Sequence, residues 1–321
     1  MSRLTAKKTV VDRVSETVRI PPSVLTDRPP FPRKAKIELT ARCDLKCYFC
    51  SLTYKSRHQG DMDRALLEKL LVEMRALGVE DLGLFWLGEP MLADDLAEVV
   101  SRAKGMGFPH VFITTNGRLA DAGRMRALMN SGIDSIKFSL NANTRERYAK
   151  ECGVDAFERV VANIRTAWQS RGLVRRPTLT ASTVCHGEDS EEVDSVRALI
   201  GDCVDEHYLL PIYGNRFPGA SRSLASMLPC WSLFTEAHIS WDGNLSACFC
   251  DHDPQYFMGN LAGQSIAEAW VSPAFVALRQ RHLAGDVRGT VCGTCIAYGQ
   301  GDAPPGPTGR RGSRLGPNQL A

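Results

Sequence analysis

The sequence predicts an α/β fold: a partial (β/α)6, TIM-like barrel followed by a small C-terminal domain of a β-hairpin and short helices. Two observations predict the barrel. Six short, apolar, strand-like runs occur between residues 35 and 212, and amphipathic runs of helical length separate them. Strands separated by helices pair in parallel through right-handed crossovers. An open doubly wound sheet has the same periodicity and remains an alternative.

The first strand is predicted in AKIELTA, residues 35 to 41. The helix after it has one apolar face, formed by Leu66, Leu67, Leu70, Leu71 and Met74. Asp61 or Asp63 is a start signal for this helix, and Gly78 is a stop signal. The later strands are predicted in DLGLFWLG, HVFITTNG, DSIKFSLN, PTLTASTVC and EHYLLPI. In such barrels, functional residues lie at the carboxyl ends of the strands.

The pattern divides the chain into four parts. Residues 1–34 form a proline-rich N-terminal extension, and residues 35–215 form the barrel. Residues 216–299 form the small domain, with a hairpin in HISWDGNLSACF that turns at Asp242 and Gly243. Residues 300–321 are rich in proline, glycine and arginine and are predicted to be disordered.

Composition narrows the functional classes. The formal charge of +3 on 321 residues gives no electrostatic reason to expect nucleic acid binding. The sequence shows neither a signal peptide nor an apolar run long enough for a membrane span, which predicts a cytoplasmic protein with no membrane partner. Eleven cysteines in a reducing compartment are better interpreted as metal ligands and core residues than as disulfides.

The most informative stretch is CDLKCYFC, which contains Cys43, Cys47 and Cys50 directly after the first strand. Three thiolates hold a four-iron cluster only if one iron takes its fourth ligand from elsewhere. A zinc site needs four ligands in a compact unit, and the next cysteine is Cys152, in a helical segment, which disfavours zinc. The CxxxCxxC spacing resembles the signature of the radical S-adenosylmethionine (SAM) superfamily, in which the methionine part of SAM completes the open iron.

The resemblance implies a set of cofactor contacts at successive strand ends. Phe49 matches the aromatic residue near the adenine, and Glu89 matches the carboxylate that receives the methionine ammonium. Thr115 and Asn116 also match cofactor contacts, and they stand between Thr114 and Gly117 in the motif TTNG. The full set of implied SAM contacts is Phe49, Gly88, Glu89, Pro90, Thr115, Asn116, Ser139 and Asn141. Taken singly, GEP and TTNG are equally typical of ordinary strand-to-helix turns.

Four further cysteines resemble the SPASM/Twitch extension of the same superfamily. They are Cys230, Cys248, Cys292 and Cys295, accompanied by the Asp-Gly turn, Asp251 and the Gly259-Asn260 pair. Four thiols close a cluster without an exchangeable ligand, and no cysteines follow Cys295, so the resemblance implies one auxiliary [4Fe-4S] cluster of the shorter Twitch type. A zinc ribbon has similar spacing and is the alternative.

The resemblance implies that a 5′-deoxyadenosyl radical abstracts hydrogen from a substrate carbon, with a flavodoxin or ferredoxin as reductant. A barrel with one auxiliary cluster is similar to aminocyclitol and aminoglycoside dehydrogenases and epimerases of antibiotic biosynthesis, which implies a small polyhydroxylated substrate. Cys250 lies two residues past Cys248 and is the predicted hydrogen donor for epimerisation, or else a buried filler.

Three other functions are alternatives. The first is dehydrogenation of a secondary alcohol to a ketone with the auxiliary cluster as electron acceptor, and the second is maturation of a ribosomal peptide. The third is a non-enzymatic iron-sulfur electron carrier. By strand-end position, Glu38, Tyr213 and Arg216 are candidates for substrate contacts, whereas Cys152, Cys185 and Cys203 are interpreted as core residues.

Overall fold

A single nine-stranded sheet forms the core of the protein in a computed structural model. The structure describes residues 9–50, 58–172, 176–185, 190–211, 228–249 and 256–293. The strand order is β6-β5-β4-β3-β2-β1-β7-β8-β9. The strands are β1 Lys34–Ile37, β2 Asp81–Gly83, β3 His110–Thr115, β4 Ser135–Ser139, β5 Thr178–Cys185, β6 Glu206–Pro211, β7 Ala237–Ile239, β8 Asn244–Ser246 and β9 Phe257–Asn260.

Helices connect the parallel strands. In chain order they are α1 Val10–Val18, α2 Arg64–Ala76, α3 Leu96–Gly105, α4 Ala122–Asn130, α5 Arg145–Cys152, α6 Phe157–Arg171, α7 Ser190–Ile200, α8 Ile266–Trp270 and α9 Pro273–Leu283. Within the described ranges, no helix has both the length and the apolarity that crossing a bilayer requires.

Strands β1 to β6 pair in parallel, each with its sequence neighbour. This arrangement confirms the predicted α/β fold class with a parallel, partial TIM-like core and a small C-terminal part. The start and stop signals of α2 are also confirmed. The side chain of Asp63 accepts a hydrogen bond from Leu66 N, and Gly78 has a φ of +83° just beyond the helix.

Two strands are shorter than their sequence patterns. AKIELTA forms a strand only over Lys34–Ile37, and DLGLFWLG only over Asp81–Gly83. Beyond β1 and β2 the chains leave the ladder to form the loops that carry the predicted site. Apolar pattern alone does not distinguish a strand from the buried loop that continues it.

The C-terminal hairpin continues the barrel sheet. Its first strand, β7, pairs in parallel with β1, and β8 and β9 then add antiparallel strands. The turn at Gly243 has a φ of +82°, as the Asp-Gly pattern predicted. The side chain of Asn260 fixes this turn by donating to Asp242 O and Asn244 Oδ1 at 3.1 and 3.0 Å. The segment containing Cys230 and Cys248 therefore lies beside the first barrel strand.

Helix α1 covers one end of the barrel, although no element was predicted in residues 1–34. Thr9 and Asp12 form a capping box at its start. Arg13 forms an ion pair with Asp81 at the beginning of β2, and Lys34 Nζ donates to Thr17 Oγ1 at 2.9 Å. These contacts hold the helix against the amino ends of the strands.

The loops that follow β1 and β2 cross at Gly88 with almost no space between their backbones. A Cβ atom on Gly88 would lie 2.0 Å from Thr40 O and 2.9 Å from Arg42 O. Both neighbours are backbone atoms, which cannot rotate away as a flexible side chain can. The hydrogen bond from Glu89 N to Arg42 O at 2.8 Å joins the same two loops. Gly88 is therefore required by packing at the start of the predicted site.

We expect Gly88→Ala to lower the free energy of unfolding by about 1–3 kcal/mol, because the methyl group overpacks a backbone crossing. Gly105→Ala is the matched control, since a Cβ on Gly105 meets nothing within 4 Å. The control should leave stability unchanged or raise it by up to about 1 kcal/mol. Urea denaturation of the two variants measures the difference, and equal stabilities would contradict the close crossing.

Candidate functional site

The loop that carries Cys43, Cys47 and Cys50 is attached to the end of α5. Lys46 N donates to Cys152 O at 2.9 Å, and Tyr48 N donates to Glu151 O at 3.0 Å. A turn closed by the hydrogen bond from Cys50 N to Cys47 O, at 3.0 Å, ends the loop. The last carbonyl groups of a helix have no N–H donor within the helix, and here the backbone N–H groups of the cysteine loop supply two. All three cysteines are partly buried.

The environment of these thiols favours their protonated form as long as no metal is bound. Burial raises the pKa of Cys43 to about 12. A hydrogen bond with the Cys152 thiol, followed by burial, raises the pKa of Cys47. Metal ligands bind as thiolates, so a bound metal must supply the charge that stabilises them here.

Cys43 lies near enough to Cys47 and Cys50 to interact with both. Among the residues that the structure describes, no three His, Cys, Asp or Glu side chains converge as ligands of one metal ion would. Cluster thiolates each bind a different iron and are spaced more widely. Cys152, interpreted from sequence as a core residue, is buried as expected but also contacts Cys47.

Glu89 is a buried carboxylate that joins the ends of two strands. Its Oε1 accepts hydrogen bonds from Met91 N at 3.0 Å and Thr115 Oγ1 at 2.6 Å, and its Oε2 accepts from Asn116 N at 2.7 Å. Burial raises the pKa of Glu89 to about 7, although all three hydrogen bonds lower it. The three donors are uncharged, so the site suits a ligand that brings a cation, such as an ammonium group.

Asn116 connects this carboxylate to the cysteine loop. Its side-chain Nδ2 donates to Asp44 Oδ1 at 2.7 Å, and Arg118 NH1 donates to Asp44 Oδ2 at 2.7 Å. Asp44 follows Cys43 directly in the chain. The network therefore fixes the ends of β2 and β3 relative to the first cysteine.

The other predicted cofactor contacts lie at or after the carboxyl ends of the parallel strands. Pro90 begins the short 3-10 helix that Glu89 caps. Phe49 packs edge-on against Tyr48 with ring centroids 5.5 Å apart. Ser139 ends β4, and the side chain of Asn141 accepts a hydrogen bond from Val184 N at 3.2 Å. Glu38, a candidate for substrate contact, instead accepts backbone N–H groups of Leu87, Gly88 and Trp241 and has a structural role.

The structure brings the segments of the C-terminal cysteines together through their neighbours. Ser232 donates to Ala247 O at 3.0 Å and accepts from Phe249 N at 3.0 Å, which joins the chain after Cys230 to the chain around Cys248. Ala247 N donates to Tyr256 O at 2.9 Å, and Tyr256 OH donates to Val291 O at 2.9 Å, beside Cys292. Cys230, Cys248 and Cys292 are partly buried.

Several predicted residues lie outside the described ranges. They are Cys250, Cys295, Tyr213, Arg216, Asp251 and the tail at 300–321. The role of Cys250 as hydrogen donor and that of Cys295 as fourth auxiliary ligand stay predictions.

The barrel encloses a cavity of about 210 Å³. Residues two apart on the strands line it, which shows that it occupies the inner face of the sheet. Helix α1 closes the end near Asp81, while Phe85 and Thr114 lie near the carboxyl ends of β2 and β3. The lining residues are Arg13, Val14, Thr17, Val18, Lys34, Lys36, Asp81, Phe85, His110, Phe112, Ile113, Thr114, Ser135, Lys137, Thr180, Tyr208, Trp231, Glu236 and Phe249.

This cavity, called the lumen below, extends from the carboxyl end of β3 to the chain beside Cys230 and Cys248. At one end it reaches Thr114, the chain neighbour of Thr115, whose hydroxyl donates a hydrogen bond to Glu89. At the other end it reaches Trp231 and Phe249, which are adjacent to Cys230 and Cys248 and stack at 4.8 Å.

Lys137 lies in the middle of β4 and lines the lumen, and it was not predicted as a site residue from the sequence. Burial and the repulsion of Lys36 lower its pKa to about 7. Its Nζ lies 5.6 Å from the centroid of the Tyr208 ring. The sequence feature that could have identified Lys137 is its position within the apolar run SIKFSL, because strands of a parallel sheet are buried on both faces and rarely contain a lysine.

Two family comparisons agree with this geometry. The radical SAM superfamily model matches residues 37–200, just over half of the chain. The SPASM model, described as an iron-sulfur cluster-binding domain, matches residues 230–296. The second match covers the four C-terminal cysteines predicted from the sequence.

Curated relatives and solved structures are similar to this chain over different shares of its length. A probable GTP 3′,8-cyclase from Methanothermobacter thermautotrophicus is 33% identical over 41% of this chain, and the match spans 43% of that protein, less than half of its length. A crystal structure of BtrN in complex with AdoMet and 2-DOIA has a TM-score of 0.56 at 19% identity, covering 79% of this chain and 88% of BtrN. Streptococcus suis SuiB bound to S-adenosylmethionine has a TM-score of 0.66 at 15% identity, covering 78% of this chain and 68% of SuiB. At these identities the two structures show a common fold.

The first matched domain uses a [4Fe-4S] cluster together with SAM, and the second binds an auxiliary iron-sulfur cluster. The thiols of the CxxxCxxC loop and the buried Glu89 carboxylate fit the first of these groups. The chain therefore belongs to the radical SAM superfamily and carries a SPASM domain.

Proposed function

We propose that this enzyme abstracts a hydrogen atom from a carbon of a small polyhydroxylated molecule that binds in the lumen. The observation that carries the proposal is the position of the lumen, which is lined by neighbours of Glu89 on one side and of Cys230 and Cys248 on the other. A substrate there would lie within reach of both cofactor sites. The volume of about 210 Å³ is below the roughly 300–1,000 Å³ typical of drug-sized ligands, which favours a small molecule.

In this proposal, Cys43, Cys47 and Cys50 hold the SAM-binding cluster, and Glu89 receives the ammonium of SAM. Bound SAM supplies a 5′-deoxyadenosyl radical. The chain itself fixes the carboxylate through Thr115 and Asn116, encloses the substrate and excludes water. Phe49, Gly88, Pro90, Ser139 and Asn141 complete the SAM contacts. A flavodoxin or ferredoxin as reductant and a cytoplasmic location belong to the same proposal.

After hydrogen abstraction, the radical of an aminosugar or aminocyclitol substrate can react in two ways. In epimerisation, a thiol on the opposite face returns a hydrogen atom to the carbon, and Cys250 is the proposed donor. In dehydrogenation, the alcohol loses a second electron to the auxiliary cluster and a proton to solvent or protein, which gives a ketone. We prefer epimerisation, because Cys250 is not needed as a cluster ligand.

A second candidate is cyclisation of a nucleotide, favoured by the names of the curated relatives. Each match spans only part of those proteins, and the lumen formed by the described residues is small for a nucleoside triphosphate. Peptide maturation requires a longer binding surface than this cavity offers. A simple electron carrier gives no reason for a buried carboxylate with three uncharged donors beside the cysteine loop.

Changing Cys43, Cys47 and Cys50 together to alanine should remove about half of the iron, since one of two four-iron clusters is lost. SAM binding should be lost with it. The matched control is the pair Cys230→Ala and Cys248→Ala, which should remove the other half of the iron and preserve SAM binding. Iron analysis and equilibrium dialysis measure both effects. SAM binding retained by the triple variant would contradict the assigned ligands.

Glu89→Gln should weaken SAM binding about ten- to a hundredfold, because a charge-assisted contact worth about 1.5–3 kcal/mol is lost. Iron content should not change. Because the pKa of Glu89 is raised to about 7, its protonated form predominates below that pH and does not attract an ammonium. The affinity of the wild-type protein for SAM should therefore fall about tenfold from pH 8 to pH 6, and that of Glu89→Gln should change less. Calorimetry at the two pH values measures this, and identical pH profiles would place the ammonium elsewhere.

Cys250→Ala separates the two reactions. If Cys250 is the hydrogen donor, the variant should still form 5′-deoxyadenosine but yield no inverted product, and the wild-type enzyme in deuterated water should place one deuterium at the inverted carbon. Cys203→Ala, which removes a thiol beside α7, is the control and should retain turnover. A stoichiometric ketone without solvent deuterium would establish dehydrogenation instead.

A further inference from the structure

The charged side chains of the lumen are almost all paired. Arg13 forms an ion pair with Asp81. Lys36 Nζ lies 2.9 Å from Glu236 Oε2, which also contacts His238 Nε2 at 2.8 Å. Lys34 donates to Arg13 O and Thr17 Oγ1 and lies 3.7 Å from Glu16. Each carboxylate that lines the lumen, Asp81 and Glu236, is already held by a cation.

Lys137 is the exception among these cations. It forms no ion pair with any residue in the described ranges, and its recorded contact is the face of the Tyr208 ring. Two charged side chains act on the Lys137 ammonium from a distance. Lys36 repels it, and Glu236 attracts it but is already paired with Lys36. An enclosed charge without a counter-ion is unfavourable unless a ligand supplies one.

The hydroxyl groups of two further lumen residues lie next to Lys137. In the sheet register, Lys137 is opposite Thr114 on β3 and Thr180 on β5. The Thr180 and Tyr208 side chains line the lumen and lie close enough for their buried hydroxyls to interact with each other, but neither hydroxyl bonds to any further group in the described part of the chain. When two hydroxyls bond to each other, one O–H remains available as a donor, so this wall of the lumen offers the Lys137 amino group and a hydroxyl donor to a ligand.

The position of Lys137 along β4 relates it to the proposed reaction site. Ser139, a proposed SAM contact, is two residues further toward the carboxyl end of the strand and faces the same side. Two residues of a strand span about 7 Å. A small substrate held at Lys137 would therefore extend toward the strand end at which the hydrogen atom is removed.

We propose that Lys137, with Thr180 and Tyr208, binds an anionic group of the substrate, a carboxylate or a phosphate. This inference rests on the proposed function in that it places the substrate in the lumen. It narrows the proposed substrates, aminosugars and aminocyclitols included, to polyhydroxylated molecules that also carry an acidic group, such as a carboxylate or a phosphate. A basic aminosugar without an acidic group would be repelled by the ammonium.

Four sugars that differ mainly in charge test the proposal on the holoprotein without turnover. They are glucose, glucosamine, glucuronate and glucose 6-phosphate, with affinity measured by equilibrium dialysis at millimolar concentration. We expect one or both acidic sugars to bind at least about tenfold more tightly than glucose, as for a charge-assisted contact, and glucosamine to bind most weakly. The two acidic sugars distinguish a carboxylate site from a phosphate site.

Variants assign the binding to Lys137. Lys137→Met should lower the affinity for the preferred acidic sugar to that for glucose, and Lys137→Arg should restore part of it, because it returns the charge. Lys150→Met, which removes an exposed lysine on α5, is the control and should bind as the wild-type protein does. Without ligand, Lys137→Met should be as stable as the wild-type protein or more stable, because it removes an amine whose charged form burial disfavours. A lysine with a structural role would instead be needed for stability.

Three results would overturn the proposal: equal affinity for acidic and neutral sugars, no measurable binding of either acidic sugar, or unchanged binding in Lys137→Met. The outcome is independent of radical chemistry. If the wild-type protein cleaves SAM but Lys137→Met binds acidic sugars normally, the inference fails and the proposed function stands. If acidic sugars bind through Lys137 but SAM is not cleaved, the site stands and the proposed function fails.

Discussion

The buried carboxylate of Glu89 determines how the predicted site is assembled. It accepts hydrogen bonds from Met91, Thr115 and Asn116, and so joins the loop after β2 to the end of β3. Through Asn116 and Asp44 the same network reaches the cysteine loop. Gly88 is required beside it because the loops after β1 and β2 cross with no room for a side chain. Its donors are uncharged and burial raises its pKa to about 7, so the carboxylate is positioned without a cationic partner, and a bound cationic group would stabilise its ionised form.

The lumen connects this network to the rest of the molecule. Helix α1 closes one end, and β7 brings the C-terminal segment beside β1 by parallel pairing. Trp86 Nε1 donates to Phe249 O at 2.8 Å, which fixes the chain near Cys248 against the loop after β2. One enclosed space is thereby bordered by the proposed SAM site and by the SPASM domain. The proposed substrate would therefore be enclosed next to both domains.

Local signals in the sequence were sufficient for much of the fold. The α/β alternation, the Asp63 cap, the stop at Gly78 and the hairpin turn at Gly243 all depend on residues close together in the chain. The family resemblance depended on spacing within CDLKCYFC and on motifs at strand ends. By contrast, α1 packing on Asp81, β7 pairing with β1 and the contact between Cys47 and Cys152 depend on residues far apart in sequence. Glu38 and Lys137 show the same limit. Whether a charged residue in or after a strand has a partner depends on neighbours that only the fold brings close.

Reductive cleavage of SAM tests the central claim most directly. Wild-type protein reconstituted anaerobically with iron and sulfide, then mixed with SAM and dithionite, should form 5′-deoxyadenosine well above the level given by protein without iron. Its absence from protein that contains both clusters would contradict the assignment of Glu89 and the cysteine loop to SAM chemistry.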